Sequence, residues 1–166
     1  MALKSIAAAL ALTAGLALAA GAALAHEGHE GPPPKTPGGK AAWARHDNFK
    51  AQGAAFKAAL DELKKSPPNQ AVLTTNANKL KASSQALPSW FPKGSGPESG
   101  VKTDAKAEVW SDAAGFAAAA NKFQIEAAKF QELATAGDVA GMKAQSRVLG
   151  GTCKGCHDKY RVPEKK

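Results

Sequence analysis

The sequence predicts an all-α chain of four helices running up, down, up and down as a bundle, and three observations predict it. From Lys40 onward, apolar residues recur at alternating spacings of four and three, as on a helix with one buried face. No stretch of any length alternates polar and apolar residues as a strand does. Helix breakers divide the pattern at Ser66-Pro67-Pro68, at Pro88 and at Gly137-Asp138, leaving two short connections and one long one.

The first helix, between Lys40 and Lys65, carries the series Phe49, Gly53, Phe56, Leu60, Leu63. The second carries Val72, Leu73, Leu80 and Leu87 and ends near Pro88, after which Ser89 to Thr103, rich in Gly, Ser and Pro, forms a crossing loop. The third holds the clearest seam, Val109, Ala113, Phe116, Ala120, Phe123, Ala127, Phe130, Ala134, in which large and small residues alternate. Gly137 closes it, and Asp138 offers an N-cap to the fourth, which runs from about Val139 towards Arg161. On that helix Met142, Ser146, Leu149, Cys153, Cys156 and Tyr160 share one seam, so both cysteines are expected to face the bundle interior.

Ahead of the bundle lie two segments of different character. Lys4, the small-apolar stretch from Ile6 to about Ala20 and the A-x-A site Ala23-Leu24-Ala25 read as a signal peptide over residues 1–25, too short and too alanine-rich for a membrane span. Cleavage would begin the mature chain at His26, leave it without a membrane anchor and place it outside the cytoplasm. Residues 26–39, HEGHEGPPPKTPGG, have nothing to bury and are expected to form a disordered arm. Two readings of its His26 and His29 stand side by side, weak copper or nickel chelation together with the new free amine, and a merely solubilising leader. Residues 40–166 are then one domain. The formal net charge of +8 is dispersed, with no aromatic-basic stripe, which argues against nucleic acid and suits steering towards an acidic redox partner.

The chemistry is concentrated in Cys153-Lys154-Gly155-Cys156-His157. Two thiols at i and i+3 followed at once by an imidazole are what covalent attachment of haem c requires: the thiols add to the two vinyl groups of one porphyrin, and His157 can place a ring nitrogen on the iron. The rival readings are weaker. A thioredoxin-like dithiol normally accompanies a βαβ pattern, a zinc site needs about four ligands and finds no second CxxC or HxxxH, and a disulfide between cysteines so close would be strained. Gly150 and Gly151, one turn earlier, indicate either a backbone that approaches something flat and bulky or a local kink.

Function turns on the sixth position of the iron, because a low-spin electron carrier needs a second strong ligand and an open site binds a diatomic gas. Met1 leaves with the signal peptide, Met142 shares a helix with His157 about four turns away, His26 and His29 are in the arm, and His46 lies one position off the Phe49 seam. Arg45 and Phe49 share a face of the first helix, which casts Arg45 as a clamp for a haem propionate and Phe49 as an aromatic over the ring that cannot ligate iron. Phe49 as plain core is compatible with that role. Trp90, Phe91, Trp110 and Phe123 either line the pocket or belong to the core.

Over residues 40–162 the chain resembles the cytochrome c prime family, the class II c-type cytochromes of bacterial periplasms. The segments that carry the resemblance are Arg45 with Phe49; Leu87-Pro88 and Phe91-Pro92 with Gly94; Glu108-Val109-Trp110-Ser111-Asp112; Ala136-Gly137-Asp138; and Cys153 to Arg161. The resemblance implies a left-handed four-helix bundle, often a homodimer through its first two helices, with one pentacoordinate haem c per chain and an apolar distal pocket open to NO and CO. It also implies a basic residue beside the proximal face, which falls on Arg161, and it commonly has Leu or Met where this chain has Phe49. The expected function is a periplasmic, non-enzymatic cytochrome that binds diatomic gas and can carry electrons. The alternative is a low-spin six-coordinate electron-transfer cytochrome of the same fold. An enzyme would want a distal acid-base group, and Phe49 offers none.

Overall fold

Side-chain caps start the four long helices. The structure, a computed structural model, describes residues 32–163; the expected signal peptide, and His26 and His29 of the expected arm, lie outside them. Helix α1 (Pro37–Glu62) starts at Thr36, whose hydroxyl accepts from the Gly39 amide at 3.1 Å, with Pro37 in the first turn, where its missing N–H costs nothing. The helix therefore begins inside the segment expected to be a disordered arm, a correction for Pro37, Gly38 and Gly39. Gly38 is required there, since a Cβ at that position would fall 1.9 Å from the Gly94 carbonyl oxygen. Helix α2 (Gln70–Ala86) is capped by Asn69, which accepts from the amides of Ala71 and Val72. The α1–α2 turn is drawn together by the buried Glu62 carboxylate, which accepts from Lys65 Nζ and the Asn69 amide, each at 2.7 Å.

The chain leaves α2 through a 3₁₀ turn at Leu87–Trp90 and crosses the end of the bundle through a second at Pro97–Ser99. The expected third helix is divided. Helix α3 (Glu108–Ser111) is a single turn, the backbone breaks at Asp112, and the Asp112 side chain then caps α4 (Ala113–Ala136) by accepting from the Gly115 amide at 3.1 Å. A residue that can cap ends one helix and starts another in mid-pattern, which apolar spacing does not reveal. Gly137, at φ 72°, ends α4, and Asp138 caps α5 (Val139–Tyr160).

Helix α1 packs on α2, α2 on α4 and α4 on α5, in the up-down-up-down order. The fourth side of the ring differs: α1 and α5 do not close on one another as the other pairs do. The core follows. On α4 Phe116, Ala120, Phe123, Ala127, Phe130 and Ala134 are buried, as the seam predicts, whereas Ala113 of the same series is exposed. On α1 the most buried apolar residues are Ala42, Ala55 and Ala59, while Phe49, Phe56 and Leu60 are half-buried and Gly53 is exposed. Of the series expected to be central, Leu63, just past the helix end, is buried in the core, and the rest form a flanking stripe. It faces α5: Phe56 stands 3.8 Å from a Cβ built on Gly150, and Leu60 and Leu63 share a hollow with Lys143, Ser146 and Arg147. On α5 the buried stripe is Met142, Gln145, Leu149, Thr152 and Tyr160; of the expected seam Met142, Leu149 and Tyr160 are buried, and Ser146, Cys153 and Cys156 are half-buried.

Phe130 is fully buried and meets Phe56 edge to face, with centroids 6.5 Å apart. Replacing it with alanine is expected to destabilise the folded protein by roughly 3–5 kcal/mol. Urea denaturation of the two proteins checks this, and a loss below about 1 kcal/mol would mean that the bundle centre collapses around the gap.

Candidate haem-attachment site

Cys153, Cys156 and His157 occupy the last two turns of α5, where the i, i+3 spacing puts both sulfurs on one side of the helix. Both cysteines are half-buried free thiols packed against the core. Burial pushes the Cys153 thiol above its ordinary value, against a smaller lowering by the Thr152 side chain; burial also raises Cys156, helped by neighbouring Cys153. His157 is exposed and lines an open hollow of about 310 Å³ together with Asp158, Arg161, Val162 and Pro163. The structure thus brings His157 and Arg161 to one place, with Arg161 also 3.8 Å from the Asp104 carboxylate.

This end of α5 is fastened from three directions. The Tyr160 hydroxyl donates to Asp112 Oδ2 at 2.9 Å, Lys159 Nζ lies 2.6 Å from the same oxygen, and the Tyr160 ring stands edge-on to Phe116. Lys106 Nζ donates to the carbonyls of Asp158 and Lys159, meeting the negative end of the helix. An antiparallel bridge pairs Ala105 with Arg161, through Lys106 N to Tyr160 O and Val162 N to Asp104 O. Of these groups Asp112 and Lys106 escape a reading based on periodicity, because each acts from a loop or a helix end.

Arg45 is 97% removed from solvent. Its NH1 donates to Trp90 O and Ser95 Oγ, and its NH2 to Ser95 O and Thr103 Oγ1, at 2.8–3.2 Å. The guanidinium also lies over the rings of Phe91 and Trp110. Its burial lowers its pKa, partly offset by Glu98. Four terminal N–H donors are therefore committed to the crossing loop, where two carbonyls and two hydroxyls take the place of the anion expected for this charge. Phe49 packs edge to face on Trp90 and Phe91, at centroid distances of 5.1 and 6.1 Å. Trp90, Phe91 and Trp110 are half-buried against the core, and Phe123 lies inside it. His46 is exposed, 3.8 Å from Asp47, and Met142 is fully buried on the helix of His157.

Haem fits this arrangement. The two sulfurs stand on α5, the one helix pair that does not close is α5 with α1, and Gly151 has nothing within 4 Å of a Cβ position. Gln52, on the α1 stripe between Phe49 and Phe56, has a buried Oε1 with no hydrogen-bond partner. A helix pair left unclosed beside the two thiols, with an unmatched polar atom nearby, is what a chain shaped around a prosthetic group presents.

The sequence profile of the family described as Cytochrome C' matches residues 40–161. The chain belongs to the cytochrome c' family. It is 41% identical over 118 residues to a cytochrome c' of Pararhodospirillum photometricum, covering 70% of this chain and 92% of that one. Among solved structures, the cytochrome c' of Rubrivivax gelatinosus superposes with a TM-score of 0.69 at 34% identity, covering 75% of this chain and 96% of that one. A nitric oxide complex of a cytochrome c prime variant from Alcaligenes xylosoxidans superposes at 0.68 with 29% identity, covering 76% and 97%. As in its family, the protein carries one covalent haem c, joined through the two cysteines it possesses.

Asp112 ties the attachment helix to α4, and its carboxyl is held below its ordinary value of 3.8, first by Lys159, then by Tyr160 and the Gly115 amide. A depressed carboxyl contributes stability that is whole above its ordinary value and is lost as pH falls through the lower folded value. The advantage of wild type over Asp112→Asn in denaturant is therefore expected to be level from neutral pH to about pH 5 and to shrink in acid. An advantage that stays constant to about pH 2 would show that the ion pair does not carry it.

Proposed function

We propose that this cytochrome binds nitric oxide or carbon monoxide on one face of its haem, with His157 as the only strong axial ligand, and carries electrons secondarily. The observation behind the reading is the make-up of the α1 stripe facing the open seam. It offers Phe49, Gln52 and Phe56, and no histidine or methionine among the described residues points from α1 into that seam: His46 is exposed and Met142 is enclosed on α5. Further support comes from a second nitric oxide complex, of a ferrous cytochrome c prime variant from Alcaligenes xylosoxidans, 28% identical with a TM-score of 0.68.

When bound, haem supplies an iron that exchanges one electron and holds one diatomic molecule. The chain's residues do the rest. Cys153 and Cys156 fix the porphyrin edge to a helix that cannot turn, His157 presents a ring nitrogen from the open hollow, and Arg161 places a positive charge in that same hollow. Phe49, held by Trp90 and Phe91, keeps water and side-chain ligands from the other face. None of these groups is a proton donor or acceptor placed for catalysis, so the reading is of a carrier and not an enzyme. Export by the leader over residues 1–25 would put it in the periplasm, and no helix among the described residues is long and apolar enough to cross a membrane. A homodimer through α1 and α2, and an acidic redox partner matched to the net charge of +8, complete the reading.

The deciding experiment is the visible spectrum of the exported holoprotein, ferric and reduced, with and without CO and NO. A broad high-spin reduced band that sharpens with gas is expected. Sharp low-spin bands indifferent to CO would mean a sixth protein ligand and make electron transfer the primary role. Phe49→Met is expected to add a sulfur ligand and shift the reduced haem towards low spin; an unchanged spectrum in the folded variant would remove Phe49 from above the iron.

A further inference from the structure

A hollow of about 380 Å³ lies between the end of α1, which gives it Leu60, Leu63 and Lys64, and α5, which gives it Lys143, Ser146 and Arg147. Its floor is hydrocarbon: Leu63 is buried in the core, and Leu60 is half-buried beside it. Its rim is cationic, since Lys64, Lys143 and Arg147 are exposed and no residue of the lining is acidic. The charge is not balanced locally. Lys64 meets Asp61 at 2.8 Å, but that carboxylate is shared with Lys57, and the adjacent Glu62 is committed to Lys65 and the Asn69 amide. Lys143 and Arg147 stand one turn apart on α5, a like-charge spacing that destabilises a helix, and neither has an acidic residue three or four positions away. The hollow is close to the attachment site. Leu60 is one turn past Phe56 and Arg147 three residues before Gly150, the two positions that approach one another across α1 and α5. From Arg147 to Cys153 is six residues, about 9 Å along the helix.

Resting on the electron-carrying part of the proposed function, we propose that this hollow is where an acidic redox protein docks, seating one apolar side chain on Leu60 and Leu63 with carboxylates around it facing Lys64, Lys143 and Arg147. An apolar centre inside a polar rim is the anatomy of a protein–protein interface. The two parts divide the work. The seat excludes water around the anchoring side chain, and the rim charges steer the approach and fix the orientation. A second copy of this chain does not suit the place, because it brings the same three cations to the contact. Between the haem and the docked partner one electron is exchanged: the iron goes from ferrous to ferric as the partner's centre is reduced, or the reverse, and no bond forms or breaks. Helix α5 carries both the rim and the two attachment cysteines, so docking sets the partner against the helix that bears the cofactor.

The test is calorimetric titration of the ferric holoprotein, at low ionic strength, with two acidic polymers: polyglutamate and a copolymer of glutamate and tyrosine. The copolymer is expected to bind roughly threefold more tightly or better, because only it offers a ring to the seat. Lys143→Glu combined with Arg147→Glu is expected to weaken it roughly tenfold, the scale of two exposed ion pairs. Lys122→Glu combined with Lys129→Glu, the same change of charge at exposed positions of α4, is expected to leave it within about twofold. Equal weakening by the two double variants would show attraction to net charge alone and overturn the inference. So would a copolymer that binds no better than polyglutamate, a comparison that needs no variant to fold. Phosphatidylglycerol vesicles that bind more tightly than the copolymer, with the same response to the variants, would make this face a membrane surface and overturn it as well. Electrode cycling of the holoprotein separates the two readings. A haem that does not cycle reversibly by one electron overturns the electron-carrying reading and this inference with it, whereas a cycling haem beside a failed titration removes the docking site alone.

Discussion

A buried guanidinium organises this molecule. Arg45 sits in the first helix, yet each of its hydrogen bonds ends on the segment that crosses from the second helix to the third. A charge so withdrawn from water is tolerable only if its donors are met, and the loop meets them with two carbonyls, two hydroxyls and two aromatic faces. The longest irregular stretch of the chain is thereby given one conformation. That conformation sets Trp90 and Phe91 against Phe49, so the position of the aromatic beside the haem seam depends on an interaction that the haem does not make.

The other end of the same loop holds the attachment helix. Lys106 caps it, Ala105 pairs with Arg161, and Asp112 receives both Tyr160 and Lys159. Between these fastenings the bundle leaves one seam unsealed. Three helix pairs supply the buried core, and the fourth side is free to be shaped for a prosthetic group. Stability and function are thus assigned to different faces, with α4 and its Phe-Ala alternation doing most of the packing.

Much of this was legible in the sequence, and the rest escaped for physical reasons. Apolar spacing found the helices and the α4 seam because burial there is one-sided and regular. On α1 it set the half-buried Phe49, Phe56 and Leu60 where Ala55 and Ala59 are central, and on α5 it counted Ser146 and Cys153 as core beside Met142, Leu149 and Tyr160, since spacing alone cannot say how far a stripe is covered. The thiol-imidazole motif announced the cofactor outright. Arg45 was seen as a buried charge in need of partners, but its partners, Ser95 and Thr103, lie some fifty residues on and only the folded loop reveals them. Asp112 hid inside an apolar series, and Gln52 drew no notice at all, because an amide on a helix is ordinary until its surroundings are known to be dry.

The half-buried cysteines carry a consequence for how the end of the bundle is tied. Burial raises both thiols above their ordinary value. Thioether bonds to both would add a covalent link on the same two turns of α5 that Tyr160, Lys106 and the Ala105–Arg161 bridge already hold from the other side. The cofactor, on this view, is a cross-link as well as a prosthetic group.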